Sequence, residues 1–126
     1  MNFKTDRNRV NGLGSAKEGT HHWLMQRVTA IAMIPLSLLF VWNFLGVFGA
    51  NQAAVVAKFQ QPFVAFGTML FVLVAFQHLQ QGLQVVIEDY VHGKVSRTVL
   101  VLLNILLTWG FALAGVFALA KIAFNA

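Results

Sequence analysis

The chain has 126 residues, of which 58% are hydrophobic and only 10% charged, against about 25% charged in a soluble domain. With a mean hydropathy of +0.70, it is neither a water-soluble monomer by composition nor an intrinsically disordered chain, and its length suits one domain. Cysteine is absent, which excludes disulfides, thiolate zinc sites, cysteine-ligated iron–sulfur clusters and cysteine nucleophiles within this chain.

In chain order, the first element is a basic tail, residues 1–21. It holds four of the nine basic residues, Lys4, Arg7, Arg9 and Lys17. A basic flank beside an apolar run is a topology signal rather than a nucleic-acid patch, so the net charge of +5 points to no nucleic-acid partner. Residues 22–126 read as a three-helix transmembrane unit. Its spans fall at about 25–48, 62–90 and 98–121, each longer than the roughly 20 residues a helix needs to cross the hydrocarbon. No window alternates with period 2, and too few segments exist to close a barrel. The expected fold class is therefore an all-α membrane protein.

Gly46, Gly49 and Asn51 mark the end of the first span. Pro62 suits the first turn of the second, where its missing N–H costs nothing. His92, Gly93 and Lys94 form a short turn, with Gly93 read as the C-terminal cap of the second helix. A turn this short makes the second and third spans antiparallel neighbours. The tail and that turn share one side of the membrane, with Lys4, Arg7, Arg9, Lys17, Lys94 and Arg97 there and Arg27 at its border; Lys58 and Lys121 lie on the other side. The positive-inside rule places the N-terminus in the cytoplasm. Asp6 and Glu18 in the tail argue against a mitochondrial transit segment, so the bacterial inner membrane is expected rather than the mitochondrial one.

Polar residues interrupt the second span. After an apolar stretch from Phe63 to Phe76 it reads Gln77, His78, Leu79, Gln80, Gln81, Gly82, Leu83, Gln84. Such groups are costly against lipid, and an ionisable one within a span is a functional candidate. The glutamines read as interhelical hydrogen-bonding groups. His78 reads either as a structural hydrogen-bonding group or as an axial haem ligand. His78 and Asp89 are eleven residues apart, hence about 20° apart around the helix and about 16 Å along it. Gly82 lies one turn from His78, where it would admit a macrocycle or a helix. At the start of the first span stand His21, His22, Trp23, Gln26 and Arg27. Trp23 reads as an aromatic-belt residue and Arg27 as a snorkelling anchor or as a cation for a buried anion. Arg27, Asp89 and Tyr90 share one membrane border, and Glu88 is expected to face water. His78 is the only histidine within a span, so a haem bound through two histidines would take its second ligand from another chain.

The run from Gly14 to Trp23, then Gln26-Arg27-Val28-Thr29-Ala30 and Pro35-Leu36, together with His78, Gly82 and Asp89-Tyr90, resembles the hydrophobic membrane anchor subunits of succinate dehydrogenase, the D subunits of complex II. The third span matches that family in hydrophobicity alone. The resemblance implies a subunit that is non-catalytic by itself and packs with a cytochrome b anchor subunit into a helical bundle. It implies attachment of the flavoprotein and iron–sulfur subunits to the membrane, for transfer of electrons from succinate to ubiquinone in respiration and the tricarboxylic acid cycle. It further implies His78 as an axial ligand of a haem b shared with the partner. Tyr90 would be a donor to ubiquinone, Arg27 a cation near quinone and haem propionates, Asp89 a support of the quinone site, and His21 a residue at the haem periphery. A fumarate reductase anchor and a small helical transport component are the rival readings. The lack of paired broken helices counts against transport.

Overall fold

The computed structural model describes residues 17–124. It contains four helices, α1 (Lys17–Leu45), α2 (Gln52–Phe59), α3 (Pro62–Tyr90) and α4 (Lys94–Ala123). The three long helices are each apolar and long enough to cross a membrane. At 29 residues, α3 is about 43 Å long, exceeding the roughly 30 Å hydrocarbon core and reaching into both headgroup layers. Its last turn, with Glu88, Asp89 and Tyr90, therefore lies at the membrane border. The fold is all-α among the described residues, with three helices of membrane-spanning length.

Local chemistry sets the helix ends. Asn51 caps α2, its side chain accepting from the Ala54 N–H at 2.9 Å. Gly49, with φ 77°, makes the turn that precedes it, a conformation other residues adopt at a cost. Pro62 occupies the first turn of α3 behind the N-cap Gln61, as its sequence position predicts. Gly93 differs from the expectation: Val91 is the C-cap of α3, and Gly93, extended at φ −72° and ψ 123°, is the N-cap of α4. The turn is so short that one glycine starts the next helix instead of ending the last. Arg97 braces it, donating from Nε to the Val91 carbonyl at 2.9 Å, a cation placed where α3 leaves its last carbonyls. The short helix α2 lies between the first two expected spans, where the sequence reading placed no element.

α3 is the middle helix, packed along α1 on one side and α4 on the other, with α2 bridging α3 and α4. The residues it buries are small or polar rather than bulky. They include Ala65, Thr68, Gln80 and Gln81 on α3, facing elements that bury Thr29, Asn104, Thr108 and Ala112. This is the interface of helices in lipid, where close approach and hydrogen bonds replace a hydrophobic drive. Gly115 of α4 lies so close to Val72 that a Cβ there would meet Val72 Cγ1 at 3.2 Å. Phe40 stacks on Phe71 across α1 and α3 with centroids 4.8 Å apart. Large apolar side chains such as Ile31, Leu38, Trp42, Leu106, Phe111 and Phe117 face outward, the inverse of a soluble core.

Several polar side chains inside the spans bond within their own helix. Thr68, Thr108, Ser37 and Asn43 each donate to a carbonyl three or four residues back, at 2.6–3.0 Å, as lipid requires. Between helices, Asn104 Nδ2 donates to the Gln80 carbonyl at 2.9 Å and joins α4 to α3. Gln80 and Gln84 depart from the interhelical expectation. Gln80 Nε2 donates to Gln84 Oε1 at 3.0 Å and Gln84 Nε2 to Glu88 Oε1 at 2.8 Å, a ladder along α3 itself. The i, i+4 spacing makes these near neighbours, so Gln80 and Gln84 find partners without crossing to another helix, whereas the buried Gln81 Oε1 has none among the described residues.

A polar seam between the first and third helices

His22, Gln26 and Thr29 recur at four- and three-residue spacing and form one stripe on α1. His78, Gly82 and Val85 form the matching stripe on α3. The two meet antiparallel. Thr29 Oγ1 lies 3.0 Å from His78 Nδ1, and a Cβ on Gly82 would lie 3.9 Å from Gln26 Nε2. Farther out, His22, Gln26, Gln84, Val85 and Glu88 line a common cleft. Gly82 permits this approach by lacking a side chain where Gln26 crosses.

Two clefts open along the seam. The deeper, about 310 Å³, is lined by Trp23, Gln26, Arg27, Ala30 and His78. The outer, about 500 Å³, adds Gly19, His22, Gln84, Val85 and Glu88 to the shared Trp23 and Gln26. Arg27 is exposed, and its guanidinium stands 5.4 Å from the Trp23 ring centroid, a cation–π contact between neighbours one turn apart. No described carboxylate pairs with it, so its five donors remain available to an anion. His78 is half-buried; beyond its Nδ1 contact, the ring makes no hydrogen bond among the described residues. No group of three metal-ligating side chains occurs among the described residues.

The structure brings His78 and Arg27 to one cleft. Asp89 and Tyr90 sit at the end of α3, Tyr90 78% exposed, and neither side chain is hydrogen-bonded to another described residue. His21 is exposed and does not line these clefts, whereas His22 lines the outer one and buries its Nε2 without a hydrogen-bond partner. α1 begins at Lys17, so both histidines belong to the helix. Glu88 is exposed, as expected, yet it also accepts from Gln84 and lines the outer cleft. Thr29 was not singled out from the sequence as a site residue. The 22/26/29 spacing was the signal that could have found it.

A model of the succinate dehydrogenase/fumarate reductase transmembrane subunit family matches residues 1–119. The chain is 37% identical over 127 residues to the succinate dehydrogenase hydrophobic membrane anchor subunit of Paracoccus denitrificans, covering 100% of this chain and 97% of that one. It is 31% identical over 100 residues to the subunit of the same name from Rickettsia bellii, covering 79% and 80% of the two chains. It is also 31% identical over 90 residues to the succinate dehydrogenase membrane anchor subunit of Reclinomonas americana, covering 69% and 75%. No solved structure matches the chain significantly. The family match along almost the whole length replaces the transport reading: the chain belongs to the succinate dehydrogenase/fumarate reductase transmembrane subunit family, as a membrane anchor subunit of the succinate dehydrogenase kind.

Proposed function

We propose that this anchor subunit supplies His78 as one axial ligand of a haem b shared with a partner cytochrome b anchor subunit, and that Tyr90, Arg27 and Asp89 form part of a ubiquinone site. One observation carries the reading: a mid-span imidazole, held at Nδ1 by Thr29, leaves its other nitrogen without a partner beside a cleft that it shares with an unpaired arginine. That donor set fits the group, since imidazole is a usual axial ligand of haem iron and a guanidinium fork suits a propionate carboxylate. Haem b, when bound, holds and passes single electrons.

The chain's own residues then divide the work by depth. Tyr90, about 18 Å along α3 from His78, offers its phenolic hydrogen to a quinone carbonyl oxygen at the membrane border. Asp89 holds or hands on a proton at its carboxylate oxygen there, where water is at hand. Arg27 supplies a fixed positive charge for oxygen that gains negative charge as the quinone is reduced. His21, on the same border, is assigned to the haem periphery. The outward apolar faces of α1 and α4 suit lipid and the second anchor chain. The flavoprotein and iron–sulfur subunits dock on the side of the N-terminus, which the lysine and arginine distribution assigns to the cytoplasm of a bacterium and its inner membrane.

The test uses the complex purified with its partner subunits. His78→Leu abolishes or alters the low-spin b-haem spectrum, whereas His92→Ala, in the turn, leaves it native. A native spectrum in the His78 variant refutes the reading.

A further inference from the structure

Thr29 is 7% exposed, and its hydroxyl has three oxygen or nitrogen neighbours: the Met25 carbonyl at 2.9 Å, the Gln26 carbonyl at 3.1 Å and His78 Nδ1 at 3.0 Å. A hydroxyl owns one hydrogen. Two carbonyl oxygens sit on the same side of Oγ1, and aiming its lone pairs at both would be repulsive. The hydrogen is therefore directed to the backbone, as in the other threonines of these spans, and Oγ1 accepts from His78. It follows that Nδ1 carries the proton and that Nε2 carries the free lone pair. The backbone contacts also lock the acceptor, because a β-branched side chain in a helix has few rotamers to choose from.

We infer that Thr29 is a positioning residue for His78: it selects the Nδ1–H tautomer, fixes the plane of the imidazole ring, and tunes the donor strength of Nε2. This rests on the haem-ligand reading of His78. A histidine ligand whose second nitrogen donates to an acceptor is a more basic ligand and is better oriented. A threonine hydroxyl is a neutral acceptor, weaker than a carboxylate, so it orders the ring without making the ligand strongly anionic. Removing it leaves a buried N–H unpaired and a ring free to rotate. Because a more basic ligand favours ferric over ferrous iron, losing the acceptor favours the reduced state.

The experiment compares the native complex, with its partner subunits, with Thr29→Val, Thr29→Ser and His78→Leu. Valine keeps the shape of threonine and deletes the oxygen, whereas serine keeps the oxygen. The readouts are the electron paramagnetic resonance signal of the ferric haem, which reports ligand orientation, and the midpoint potential in a redox titration. Thr29→Val is expected to move the signal and to raise the reduced-to-oxidised ratio at a fixed potential by about threefold to tenfold, tenfold being about 59 mV for one electron. Thr29→Ser is expected to stay within about twofold of native. A native signal and potential in Thr29→Val, while His78→Leu loses the low-spin haem, overturns the role of Thr29 alone. A native haem in His78→Leu overturns the ligand reading beneath it.

Discussion

Gly82 is the point at which the seam can be pried open. Its Cβ, if present, would stand 3.9 Å from Gln26 Nε2, an ordinary van der Waals distance. Gly82→Ala therefore fits without moving a helix, and it also removes the intrinsic penalty of glycine in a helix, about 1 kcal/mol. Gly82→Leu adds a branched group beyond that Cβ, where Gln26 already lies. Overpacking of this kind costs about 1–3 kcal/mol when neighbours cannot yield. The available relief is a wider gap between α1 and α3. One turn deeper, the Thr29–His78 hydrogen bond is 3.0 Å long, so a widening of about half an ångström takes it to the edge of hydrogen-bonding distance. The assay measures haem content and thermal inactivation of the purified complex. Alanine should match or exceed the native stability, and leucine should lower both the midpoint temperature and the haem content. A leucine variant with native haem and stability would refute the close packing of this seam.

Two further predictions address quinone chemistry and topology. Tyr90→Phe removes one hydroxyl at an exposed helix end, so assembly should survive; a lost donor in such a site costs about 2.7–4 kcal/mol of barrier, and quinone reduction should fall at least tenfold while succinate oxidation by an artificial acceptor persists. Arg27→Leu should impair the same step, and Arg27→Lys should restore it only in part, because lysine lacks the planar fork and its stacking on Trp23; native quinone reduction in both Tyr90→Phe and Arg27→Leu would reduce these residues to interfacial anchors. A reporter fused after Ala126 that works only outside the cytoplasm should be active, and cytoplasmic activity would invert the assigned orientation.

The three spans were legible because a bilayer imposes a local rule. A helix must remain apolar for about 20 residues, and the charges that bracket such runs, from Arg27 to Lys58 and on to Arg97 and Lys121, can be read without knowing any contact. Pro62 at the start of α3 was legible for the same reason, since it depends on its own backbone alone. His78 stood out through its chemistry, as an ionisable group where lipid should be. The short helix α2 was not legible, because its eight residues are too few to span a bilayer, and Gly49 and Asn51, which read as the end of α1, also make the turn and the cap that start it. Nor was the glutamine ladder, where i, i+4 partners along α3 outcompete those across the interface. The pairing of Thr29 with His78 joins residues 49 apart in the chain. Which polar group on α1 meets that imidazole depends on the register in which two antiparallel helices pack, and Gly82 and Gln26 help to set that register through van der Waals contact. Composition is read by the solvent one segment at a time, whereas a hydrogen bond between segments exists only once their surfaces have interlocked.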